Sequence, residues 1–66
     1  REELADDIRA VFDAEPAAGA FFDGLAQFYR QAYLRWIDAT KRRPDERARR
    51  IAEMVDLLRQ EKKQRE

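Results

Sequence analysis

Two prolines and two glycines are the only strong breakers in a 66-residue chain that is otherwise rich in Ala, Leu, Arg, Glu and Gln, residues that lose little on entering a helix. Pro16 and Pro44 lack the N–H that a helix interior needs. That loss costs nothing at a first helical position, where the N–H has no partner anyway, so both read as helix starts. No apolar/polar alternation of period two lasts more than a few residues, which argues against strands.

The three- and four-residue apolar spacing predicts four helices. The first spans about Glu2 to Ala14, with Leu4, Ile8, Val11 and Phe12 on one face and Glu2, Glu3, Asp6 and Asp7 in the early turns, where the helix dipole favours negative charge. The second opens at Pro16 and runs to Gly24 or Leu25, with Ala17, Ala20, Phe21, Phe22 and Leu25 as its apolar members. Gly24 is its expected stop, because glycine enters the left-handed conformation at low cost. The third, about Gln27 to Thr40, carries Tyr29, Tyr33, Trp36 and Ile37 on one face, with Phe28 and Ala32 on an adjoining one. Pro44 opens the fourth, with Asp45 and Glu46 in its first turn and Ala48, Ile51, Ala52, Val55 and Leu58 as its buried stripe.

The expected fold is therefore all-α, a compact bundle of three to four short helices. Residues 1–58 form one helical domain. Residues 59–66 are polar all round and are expected to be a fraying helix end or tail. The expected interior consists of Leu4, Ile8, Val11, Phe12, Phe21, Leu25, Tyr33, Trp36, Ile37, Ile51, Val55 and Leu58.

A chain this short buries only about 60% of its unfolded surface, so its stability is modest. Without Cys it has no disulfide to reinforce it, which points to a reducing compartment and a cytoplasmic location. Its longest apolar run falls far below the roughly 20 residues of a membrane helix, so no membrane insertion is expected. The chain begins at Arg1 and its single Met is Met54, which suggests a fragment or a C-terminal domain of something longer.

The absences narrow the chemistry. There is no His, Cys, Ser or Asn, and the only Thr is Thr40. Ser–His and Cys–His nucleophiles are excluded, and zinc and copper lose their usual ligands. Two glycines are too few for a phosphate-cradling loop. The carboxylate pairs Asp6–Asp7 and Asp45–Glu46 are helix neighbours that do not face each other and have an ordinary dipole explanation. The reading is of a non-enzymatic chain, with no catalytic residue, no metal site and no cofactor.

Two features remain for binding. KRRPDERARR, residues 41–50, places six basic side chains in ten positions of a chain with 14 basic and 14 acidic residues. Arg43, Arg47 and Arg50 are the candidate anion-binding residues, with nucleic acid as the alternative partner. The plainer reading pairs Asp45 with Arg49, Glu46 with Arg50 and Arg49 with Glu53 along the helix. Residues 1–40 hold 4 basic against 8 acidic side chains, and residues 41–66 hold 10 against 6. The simplest consequence of that asymmetry is that the fourth helix docks across the acidic first two.

The seven aromatic residues are mostly core, since few aliphatics are available and each ring buries on the order of 150 to 250 Å². Phe28 and Tyr29 are consecutive and cannot both point inward. With Phe22 they form the candidate partner surface, for another domain of the parent chain or for a separate protein.

Tyr33-Leu-Arg-Trp36-Ile37, Lys41-Arg42-Arg43-Pro44 and Arg47-Ala-Arg49-Arg50-Ile51-Ala52, following Pro16, Phe21, Phe22 and Leu25, resemble the YdeI/OmpD-associated family, also called bacteriocin-protection proteins. The likeness is to its small helical C-terminal domain and covers essentially the whole chain. It departs at Ala26-Gln27-Phe28-Tyr29, at Asp45-Glu46-Arg47 and in the length of the 41–44 hinge. The resemblance implies an accessory or interaction module linked to antimicrobial or envelope stress tolerance, and it supplies no catalytic residue.

Overall fold

Each of the two prolines stands at the start of a helix. In the computed structural model, which describes residues 3–64, α1 spans Asp6–Ala14, α2 Pro16–Gly24, α3 Gln27–Asp38 and α4 Pro44–Arg59. No strand occurs among the described residues, and the fold is all-α. Its radius of gyration, 10.7 Å, is that of a tightly packed unit of this length.

None of the four N-cap residues, Ala5, Glu15, Ala26 and Arg43, makes a side-chain cap hydrogen bond. At α2 and α4 the proline removes one of the N–H groups a cap would have served. The expected start of the first helix at Glu2 lies outside the described residues. Glu3, Leu4 and Ala5 are not helical, and the extended Ala5 leads into α1 while Leu4 is buried in the core.

Two helix ends differ from expectation. α2 does stop at Gly24, but no glycine has a positive φ; the helix ends because Leu25 turns extended, at φ −74° and ψ 153°. The left-handed residue is instead Glu61, at φ 60°. The N–H of Lys62 donates to the carbonyl of Leu57 and that of Glu61 to Leu58, the paired bonds of a Schellman cap. The Tyr33 hydroxyl then donates to the Lys62 carbonyl at 3.0 Å. The segment after α4 is thus capped, and Lys62 is tied back to α3.

α4 packs against all three other helices, and α1 packs on α2. A single core cluster runs from Leu4 to Leu58. Most of the expected interior is there, but Val11, Phe21 and Trp36 are only partly buried, while Ala18, Met54 and Leu57 are core residues the periodicity did not single out. α2 is rotated relative to the expected face: Phe22 is fully buried, its ring 5.1 Å from that of Phe12, and Phe21 lies at the margin. Gly19 explains the rotation. A Cβ there would sit 3.2 Å from Phe12 Cβ, so only glycine lets α1 and α2 approach this closely without a shift. Thr40 is buried as well, and its hydroxyl donates to the Ile37 carbonyl at 2.8 Å.

Candidate functional site

The basic run divides in two. Arg47 points into the bundle, its side chain 14% exposed. Its Nε and Nη2 donate to the two carboxylate oxygens of Asp7 at 2.6 and 3.0 Å, and its Nη1 donates to Asp38 at 3.1 Å. One guanidinium therefore ties α4 to both α1 and the end of α3. The hydrogen bonds from Arg47 hold the Asp7 carboxyl below its ordinary range.

Arg50 is equally committed. The last turns of α3 tighten, so that Thr40 N–H bonds to the Ile37 carbonyl. Arg50 Nη1 donates to the Trp36 carbonyl at 2.7 Å, and its guanidinium carbon lies 5.2 Å from the centre of the Trp36 ring. This is a helix C-cap supplied from another helix, with a cation–π contact beside it. Glu46 accepts from Arg49 at 2.5 Å and lies 3.8 Å from Arg50; Arg49 takes Glu46 as its partner rather than Asp45 or Glu53.

Of the three candidate anion-binding residues, two thus fold back. Arg43 is exposed at the N-cap of α4, together with Lys41 and Arg42 in the preceding turn. The docking of α4 across the acidic helices is realised locally, by Arg47 on Asp7 and by Arg59, 4.0 Å from Glu15. An apolar groove of about 290 Å³, floored by Val11, Pro44, Ala48, Ile51 and Ala52, runs between α1 and α4. The Asp7–Arg47 pair closes its charged edge on itself.

The aromatic candidates also separate. Phe22 is a core residue and no part of any surface, because the Gly19 contact turns its side of α2 inward. Phe28 is the outward member of the consecutive pair, 68% exposed, and it is the exposed large hydrophobic among the described residues. Tyr29 is partly buried against the core, meets Phe28 edge-on at 5.4 Å and has the Lys63 ammonium 5.8 Å from its ring centre. Sequence reasoning missed Lys63, because nothing local signals that residues 60–63 return to α3.

A family model described as bacteriocin-protection, YdeI or OmpD-associated matches residues 3–61. The chain belongs to that family. No curated protein and no solved structure matches it. The match of the bacteriocin-protection family spans all four helices, so the family pattern covers the Arg47 clamp, the Arg50 cap and the Phe28–Tyr29 face alike. No helix among the described residues is long and apolar enough to cross a membrane.

Proposed function

We propose that this chain is a non-catalytic accessory module of the bacteriocin-protection family, docking a protein through the outward face of α3. The partner is another domain of its parent chain or a separate protein, in the antimicrobial or envelope stress tolerance that the family description suggests. The observation that carries the reading is Phe28. The other large apolar side chains among the described residues are buried or partly buried, whereas this ring is 68% exposed, and covering a Phe is worth about 1.5 to 3 kcal/mol. Among the ionisable groups of the basic run, Arg47 is engaged within the fold, donating to both Asp7 and Asp38.

The test is survival under bacteriocin challenge in a host whose own copy is replaced. Phe28→Ser should remove protection at an unchanged protein level, and Phe28→Leu should retain most of it. Full protection by Phe28→Ser would sink the reading.

A second reading, an anion-binding module, is favoured by one observation: Lys41, Arg42 and Arg43 are exposed and ion-paired to nothing among the described residues. It predicts salt-sensitive binding of a mixed-sequence oligonucleotide that Arg42→Glu with Arg43→Glu removes. Absence of binding at low salt would eliminate it.

A further inference from the structure

We infer that the segment docking on α3 is an acidic one with an apolar anchor, a deduction that rests on the docking reading above and names the chemistry of its partner. Phe28, Ala32 and Arg35 follow one another at four- and three-residue steps, so they line a single stripe of α3, and all three are exposed. Beside Ala32, with Tyr33, Lys63 and Gln64, lies a hollow of about 120 Å³. That is well below the roughly 300 Å³ at which small-molecule pockets begin, and it suits the end of one side chain.

Basic side chains predominate around this stripe. α3 carries Arg30 and Arg35 and no carboxylate before Asp38, which is drawn to Arg47 at the far end of the helix. Arg30 is turned onto the Leu25 carbonyl. Arg35, Lys62 and Lys63 are exposed and ion-paired to no carboxylate among the described residues. Glu61 is the one acidic residue between Arg59 and Gln64. In a chain of zero net charge, a cationic stripe around its most exposed ring is a local arrangement, and it complements a segment bearing Asp or Glu around an apolar residue. A single strand of nucleic acid fits less well. Such strands stack on successive rings, whereas Tyr29 already has Lys63 over its face and Phe28 against it, leaving one open ring.

The decisive experiment titrates the isotope-labelled chain with three probes and follows its amide resonances. The first is a helical peptide with one Leu flanked by Glu, the second is the same peptide with Lys for Glu, and the third is a short thymidine oligonucleotide. The Glu peptide should move the amides of Phe28, Ala32, Arg35 and Lys63, and its Kd should rise roughly tenfold between about 20 and about 200 mM salt. Phe28→Ser should abolish the shifts. Arg35→Glu with Lys63→Glu should abolish them for the Glu peptide and transfer them to the Lys peptide, with the circular dichroism of the fold unchanged. If the Lys peptide binds the unaltered chain as well as the Glu peptide, and still depends on Phe28, docking on α3 stands and its acidic partner is refuted. Shifts at these residues from the oligonucleotide alone, or from no probe, also overturn the inference, while the survival assay decides docking separately.

Discussion

Glu61 occupies the left-handed region at φ 60° and closes α4 through the paired bonds of Lys62 to Leu57 and Glu61 to Leu58. A residue with a Cβ is strained there by roughly 1 to 2 kcal/mol relative to glycine, part of which glycine returns as unfolded-state entropy. Glu61→Gly should therefore stabilise the fold by about 1 kcal/mol, a rise in Tm of roughly 4 to 8 °C for a domain this small. Glu61→Val should lower Tm. Thermal unfolding followed by circular dichroism reads both. The uncapped starts make a companion prediction. Ala26 has the extended backbone of an N-cap, at φ −61° and ψ 150°, but no side-chain acceptor. Ala26→Ser should add about 0.5 to 2 kcal/mol in chemical denaturation, and the same change at Ala5 should act similarly.

Between elements, the junctions depend on Arg47 and Gly19. Because Asp7 has its folded-state pKa lowered by Arg47, its contribution is present above the unfolded value near 3.8 and is lost as pH falls through the lower folded one. Asp7→Asn should cost about 1 kcal/mol at neutral pH, screening by solvent keeping the loss small at this half-exposed carboxylate. The difference from the parent chain should close as a denaturation series is carried below about pH 4. At the α1–α2 contact, Gly19→Val should destabilise by about 1 to 3 kcal/mol, since its Cβ meets Phe12 Cβ at 3.2 Å. These junctions also mark the limit of what could be foreseen. Proline at a first helical position and the stripe of Ile51, Val55 and Leu58 are local signals, so the starts of α2 and α4 and the inner face of α4 were legible. α2 has small or apolar residues on every side, and periodicity cannot choose between Phe21 and Phe22; a contact with α1 decides. Glu46 with Arg50 was readable at a four-residue step, whereas Asp7 stands 40 residues from Arg47 and has no sequence signature. At the candidate site, adjacency alone implied that one ring of Phe28 and Tyr29 faces out, but the lysine beside them comes from a chain reversal that only the folded molecule contains.

For the molecule as a whole, stability on the order of 0.05 to 0.15 kcal/mol per residue leaves roughly 3 to 10 kcal/mol in total. Phe22 has no exposed surface and lies against Phe12. Truncating such a ring costs about 3 to 5 kcal/mol, so Phe22→Ala should leave a large fraction of the chain unfolded at 37 °C by far-ultraviolet circular dichroism, while Phe28→Ser should not. A fold with so thin a margin has little room for unsatisfied groups, and the carbonyl of Trp36, near the end of α3, shows how a side chain from another helix meets one of them. That oxygen is sealed by a guanidinium 14 residues downstream. On the ribosome, the Trp36 carbonyl can meet its guanidinium only once the fourth helix has been synthesised and folded against the third, so this contact reports the pairing of the two.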